Sequence, residues 1–303
     1  MLASPMQARL LVVAAALLFS TGGTAIKLVT LTSWQIACLR SVVAAVVLWL
    51  CFPAWRPRLD ARTLVVASGY ATTLVLFVTA NTLTTAAHAI FLQSTAPLYV
   101  LVLGPRLLGE PLRRADLVLV VGIGLGLALI LAAAQQPLDT APDPSTGNWI
   151  AAVSGVAWAA TLMGLRWLSA SADPRNASSD PRNASSDARS ASDVTGSAVI
   201  LGNLVAVAVC APWMFPLRDV SATDLGVLVF LGVVQIGLAY LCLVRGMAQL
   251  RAIESSLLLS AEPVLSALLA WAVHGESPAP LAVVGFVLIG AALAGQSATR
   301  TSS

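Results

Sequence analysis

The chain has 303 residues, 58% of them hydrophobic and only 10% charged, with a mean hydropathy of +0.86 and a net charge of +3. A water-soluble surface needs roughly a quarter of its residues charged, so this composition excludes a cytosolic enzyme, a nucleic-acid binder and a secreted disulfide framework. Four cysteines, Cys38, Cys51, Cys210 and Cys242, stand in apolar stretches with neither C-x-x-C spacing nor a histidine cluster, which predicts packing residues and no metal site.

A helix that crosses the hydrocarbon core needs about 20 apolar residues, because no water there can satisfy an open backbone group. In chain order, ten segments meet that requirement. The first, 9–28, follows Arg9 and resembles a signal peptide in length, but no small-residue cleavage site follows it, so it is expected to remain as a span. The second, 33–52, carries Arg40, and the third, 63–83, carries Phe77 and Asn81. The fourth, 87–107, opens on His88 and contains Pro97 and Tyr99. The fifth, 115–134, holds Gly122 and Gly126 in the GxxxG pattern of closely packed membrane helices. The sixth, 148–168, has Trp158 near its middle. A polar stretch, 169–193, then carries PRNASSD twice in tandem; small polar residues with proline bury too little surface to order, which predicts a disordered cytoplasmic tether. Beyond it lie 194–214 with Asn203, 224–246 with Tyr240, 252–272 with Glu254, Glu262, Pro263 and Trp271, and 279–296, again rich in glycine.

Cytoplasmic loops near span ends carry the excess of Lys and Arg. With the N-terminus inside, every cation except Lys27, Arg218 and the intramembrane Arg40 falls on the cytoplasmic side, so both termini are expected there, in a bacterial inner membrane. Seven of the eight tryptophans sit at span ends, as interfacial rings do; Trp158 is the exception.

The chain also repeats itself. Ala86, Pro97, Gly109 and Glu110 recur as Ala252, Pro263, Gly275 and Glu276 at one offset of 166, and Ile123-Gly124 recurs as Ile289-Gly290 at the same offset. Phe19 and Lys27 in span 1 match Trp158 and Arg166 in span 6 with equal internal spacing. A unit of five spans is odd, so its second copy enters the membrane from the opposite side. The loop after Gly109-Glu110 is basic and the loop after Gly275-Glu276 has no cation, as that inversion requires. The fold class is therefore an all-α membrane protein of ten transmembrane helices, arranged as two inverted five-helix repeats around a central cavity, with repeats at 1–135 and 148–297. Such halves can exchange conformations and open a cavity to each side in turn.

The paired G-E steps, the Glu262-Pro263 pair and the Arg early in span 2 resemble the drug/metabolite transporter superfamily, specifically its EamA domain, over nearly the whole chain. Length, span count and cavity aromatics look like the YddG-type exporters of aromatic amino acids, although Phe19 stands where many members have Trp. The resemblance implies a secondary transporter exporting amino acids with aromatic or other large neutral side chains by alternating access. The alternative is a carrier of another metabolite or drug, such as a purine, a polyamine or an organic cation. The expected partners are a small-molecule substrate and the lipid bilayer, with no nucleic acid, no cofactor and no enzymatic activity; a monomer and a contact between protomers through the glycines of spans 5 and 10 both stay open.

Polar groups at bilayer depth are costly unless partnered, which singles out a few residues. Arg40 lies roughly 10 Å into span 2 and could meet a substrate carboxylate or clamp backbone carbonyls. Glu262, near the middle of span 9, could take up a proton during the cycle, attract a substrate ammonium, or bond the backbone at the proline kink. Glu254 lies on nearly the same face, toward the cytoplasmic entrance. His88, its counterpart in the first repeat, could titrate or simply end a helix. Trp158, Tyr99 and Tyr240 are deep aromatics suited to stacking on an aromatic solute or to filling gaps, with Phe77 and Trp271 as weaker candidates and Asn81 and Asn203 as amide donors. Pro97 and Pro263 mark spans 4 and 9 as bent gates, candidates for a hinge.

Overall fold

A computed structural model describes residues 5–109, 114–132, 139–171, 184–217, 220–275, 280–281, 283–285, 287–288 and 291–292. The described residues form helices and connecting turns, with no β-strand among them. Twelve helices take the labels α1 (Pro5–Ile26), α2 (Ser33–Cys51), α3 (Ala61–Leu83), α4 (Ala86–Gln93), α5 (Ala96–Leu108), α6 (Arg114–Ala132), α7 (Pro144–Ser171), α8 (Ala184–Cys210), α9 (Ala222–Phe230), α10 (Ala239–Met247), α11 (Ala252–Leu259) and α12 (Glu262–His274). A π-helical stretch, Leu231–Leu238, joins α9 to α10 without a break.

The helix starts follow local chemistry. Thr32 caps α2 by accepting from the Gln35 N–H, and the Gln35 side chain takes back the Thr32 N–H at 3.0 Å. Asp60 caps α3 through the Thr63 N–H, Thr85 caps α4 through the His88 N–H, and Ser221 with Asp224 repeats the reciprocal box at α9. Inside these ends the sequence is apolar on all sides, as a helix between lipid and protein must be. Among the described residues, eight stretches are long and apolar enough to span a bilayer: Met6–Ile26, Ser33–Cys51, Ala61–Leu83, Ala86–Leu107, Pro144–Ala170, Ser192–Trp213, Ala222–Met247 and Ala252–His274. The expected fifth span is α6, and the tenth falls in the segment described only in pieces.

The offset of 166 is visible in the backbone. α4 and α11 are both eight residues long, α5 and α12 both thirteen, and each pair is separated by two residues. Both pairs place Pro in the first turn of the second helix, and both end on a glycine in the left-handed conformation, Gly109 at φ 65° and Gly275 at φ 67°. That conformation strains any residue with a Cβ, which explains why glycine recurs at both positions. Glu110 and Glu276 lie outside the described residues.

Two expectations change. Of the tether expected over 169–193, residues 169–171 close α7 and residues 184–193 open α8, while 172–183 lie outside the described residues. Ala184, Ala188, Arg189 and Ala191 are good helix formers, and this propensity extends the following span backward. Trp55 is not an interfacial ring: it is buried and stacks on Phe52 at 5.0 Å.

Each end of the bundle is tied across helices. At the end where the chain begins, Arg9 Nε pairs with Glu254 at 2.9 Å, the Arg58 N–H donates to Ser197 Oγ at 2.8 Å, and Arg62 lies over the Trp167 ring at 5.2 Å. At the other end, Lys27 Nζ donates to the carbonyls of Thr84 and Thr140, and the Thr30 N–H donates to Asp224 at 2.8 Å. There too, Gln35 donates to the Met214 carbonyl at 3.0 Å and His274 Nε2 to the Thr24 carbonyl at 2.9 Å.

Candidate functional site

Spans 4 and 9 are broken rather than bent. Pro97 and Pro263 stand in the first turn of α5 and α12, where a missing N–H removes no helical bond, and the break itself falls at Ser94–Thr95 and Ser260–Ala261. At the breaks, side-chain hydroxyls bond carbonyls of the preceding turn, of which those of Ile90 and Leu92 also accept the N–H groups of Ser94 and Thr95. Ser94 Oγ donates to the Ile90 carbonyl at 2.8 Å, Thr95 Oγ1 to Leu92 at 2.8 Å, and Ser260 Oγ to Ser256 at 3.0 Å. Gly155 of α7 makes room for the first break: a Cβ there would lie 2.6 Å from Thr95 Oγ1 and 2.8 Å from the Leu92 carbonyl.

Beside the breaks lies a chamber with about 370 Å³ of empty space, its opening included. Its enclosed part has room for about two or three waters. One wall is aromatic, with Phe19 from α1, Phe77 from α3, Trp158 from α7 and Tyr240 from α10. Phe19 meets Tyr240 edge-on at 5.0 Å and Trp158 at 6.1 Å, and Trp158 meets Tyr240 at 6.2 Å. Edge-to-face pairs at these separations are favourable in themselves, so the rings hold one another as a set. The lining also holds polar residues, Arg40, Thr73, Gln93, Gln235 and Glu262.

Arg40 is fully buried. Its Nη2 donates to the Leu74 carbonyl at 2.9 Å and its Nη1 reaches Gln235 Oε1 at 3.5 Å. Among the described residues no carboxylate lies within ion-pair distance of it. Glu262 starts α12 and lines this chamber together with a second, smaller one. The second is bounded by Ser94 and Pro97 at one break and by Ser256 and Ser260 at the other, and Trp158 is shared by both. Trp158 and Glu262 thus stand between the two spaces.

Of the residues singled out by sequence, Trp158, Tyr240, Phe77, Arg40 and Glu262 come together in the chamber, and Pro97 lines the smaller space. The others do not join them. Trp271 is 54% exposed on the outer side of α12, because the helix turns its apolar flank to lipid. Tyr99 is half-buried against the core. His88 Nδ1 bonds Thr85 Oγ1 at 2.9 Å, in the capping turn of α4. Glu254 is held by Arg9 at the end of the bundle. Pro263 is buried at the start of α12. Asn81 donates to the Phe77 carbonyl at 2.9 Å, and Asn203 to Tyr70 Oη at 3.1 Å and the Val199 carbonyl at 2.9 Å, so both are committed inside the bundle.

Sequence reasoning passed over Gln235, Gln93 and Thr73. Gln93 donates to Ser154 Oγ at 2.8 Å, and Thr73 Oγ1 faces Thr161 Oγ1 at 3.1 Å. The available signal was an uncharged polar residue inside an apolar run, which is how all three read.

A family profile described as the EamA-like transporter family matches residues 6–132 and 188–297. A solved crystal structure of a protein with no stated function is similar with a TM-score of 0.71 and 22% sequence identity, covering 99% of this chain and 100% of that one. No curated protein matches the sequence.

Proposed function

Because the chain belongs to the EamA-like transporter family, and so is a multi-pass membrane carrier of small molecules, we propose that it exports amino acids with aromatic or other large neutral side chains. The observation that carries this reading is the lining of the chamber, which combines four aromatic side chains with one buried cation and one buried carboxyl. A zwitterion with an apolar side chain has those three parts. Trp158, Tyr240, Phe77 and Phe19 stack on the side chain, Arg40 and Glu262 face the charged end, and Glu262 carries the coupled proton. Transport proceeds by alternating access in a bacterial inner membrane with both termini cytoplasmic, from a monomer. YddG-type exporters of aromatic amino acids are the subgroup this reading corresponds to. The enclosed part of the chamber has room for only a few waters, so it holds a solute only after it widens.

The test is uptake of labelled tryptophan, phenylalanine and threonine into liposomes containing the purified protein, with and without an inward proton gradient. The expected result is saturable uptake of the two aromatic amino acids, weakened about two- to twelve-fold in Trp158→Ala through the loss of stacking. Absence of aromatic uptake under every condition would discard the subgroup and leave a carrier of another metabolite.

A further inference from the structure

The chamber contains a cation whose bonding is incomplete. Arg40 is buried to 0% exposure, and its Nε has no hydrogen-bond partner among the described residues. A guanidinium offers five donors in a planar fork that matches the two oxygens of a carboxylate. Here one arm is satisfied by the Leu74 carbonyl, and the other holds only a long 3.5 Å contact to the amide oxygen of Gln235.

Gln235 is placed there by its surroundings. It lies in the π-helical stretch Leu231–Leu238, whose wider turn alters which side chains face inward. Gly22 of α1 stands against it: a Cβ on Gly22 would lie 2.7 Å from Gln235 Nε2 and 3.0 Å from Cδ. The amide is therefore wedged between α1 and Arg40, 6% exposed, with its oxygen turned to the guanidinium. A neutral amide oxygen brings no charge to offset that of the guanidinium, whereas a carboxylate brings an opposite charge as well as its acceptor oxygens.

We propose that Gln235 is a displaceable stand-in for a substrate carboxylate on Arg40, so that the chamber selects solutes bearing a carboxylate over the same solutes without one. The amino-acid reading supplies the rest of the solute; the carboxylate on Arg40 does not depend on the aromatic wall. A solute carboxylate takes Nη1 in place of the amide oxygen, and the Gln235 side chain swings toward the chamber opening. No bond other than hydrogen bonds forms or breaks.

The experiment uses the full-length purified protein in detergent and reads the thermal unfolding midpoint with L-phenylalanine, with phenethylamine, which lacks the carboxylate, and with 3-phenylpropionate, which lacks the ammonium. Each is applied to wild type, Gln235→Glu and Gln235→Leu. A bound ligand raises the midpoint in proportion to the logarithm of its saturation. Phenylalanine and 3-phenylpropionate are expected to protect the wild type and phenethylamine is not. Gln235→Leu removes the competing oxygen and is expected to bind the acids more tightly. Gln235→Glu supplies an internal carboxylate; it is expected to lose about ten- to a hundred-fold in affinity for both acids while unfolding no lower than wild type without ligand. Two results would overturn the proposal. One is protection by phenethylamine equal to that by the acids; the other is a midpoint for Gln235→Glu several degrees below wild type without ligand, the signature of a buried carboxylate that found no partner. If none of the three compounds protects while Gln235→Glu holds its midpoint, Arg40 still accepts a carboxylate and the aromatic reading alone is discarded.

Discussion

Two glutamates eight residues apart on one broken span have opposite surroundings. Glu254 is paired with Arg9 at 2.9 Å at the end of the bundle, whereas Glu262 lines the chamber. Sequence spacing put both on nearly the same face, and the break at Ser260–Ala261 redirects the second helix so that only Glu262 faces the chamber. On the proposed reading the proton-coupling role falls to Glu262 and not to Glu254. In the liposome assay Glu262→Gln is expected to make uptake indifferent to the proton gradient, and Glu254→Gln to keep the gradient dependence of the wild type. Loss of that dependence in Glu254→Gln would move the coupling site to the end of the bundle. The ion pair itself is partly exposed, and such pairs contribute about 0–1 kcal/mol, so Glu254→Gln leaves the fold intact.

At the level of helices, the repeat was legible because its markers are residues with backbone demands. Pro97 and Pro263 cannot continue a helix from the preceding turn, and Gly109 and Gly275 take a left-handed conformation. Such constraints survive in sequence whatever the side chains around them do. The π-helical stretch had no such marker, since LGVVQIGL reads as an ordinary apolar span, and with it the inward turn of Gln235 stayed hidden. Chamber walls depend on which helices meet, a property of packing rather than of spacing; for this reason Trp271 read as a weaker candidate for the aromatic lining and lies outside. The first break makes a prediction of its own. Gly155→Ala would push a Cβ against Thr95 Oγ1 and the carbonyls of Leu92 and Gln93, two of them backbone atoms that cannot swing away. Overpacking of this kind costs about 1–3 kcal/mol, so the variant is expected to unfold at a clearly lower temperature than wild type. The two prolines sit where they cost their helices nothing, so Pro97→Ala with Pro263→Ala is expected to keep the midpoint and slow transport. An unchanged transport rate in the double variant would remove the hinge.

For the molecule as a whole, sidedness is encoded twice. Every cross-helix tie at the bundle ends joins residues that the ten-span threading assigns to one side: Arg9 with Glu254 and Arg58 with Ser197 at one end, Lys27 with Thr84, Thr30 with Asp224 and Thr24 with His274 at the other. A threading wrong by one span would have tied opposite faces together. These ties join loops expected to share a side, and the bias of Arg and Lys then predicts which side is cytoplasmic. Single-cysteine variants test both steps. On a background in which Cys38, Cys51, Cys210 and Cys242 are replaced by serine or alanine, Ser145→Cys and Arg58→Cys place thiols at exposed positions on opposite ends. In intact cells a membrane-impermeant maleimide is expected to label Ser145→Cys and to spare Arg58→Cys until the membrane is opened. Labelling of Arg58→Cys alone would invert the orientation predicted from the Arg and Lys bias. Labelling of both in intact cells would mean that the ties at the two ends do not lie on opposite faces, and would break the inverted repeat on which alternating access rests.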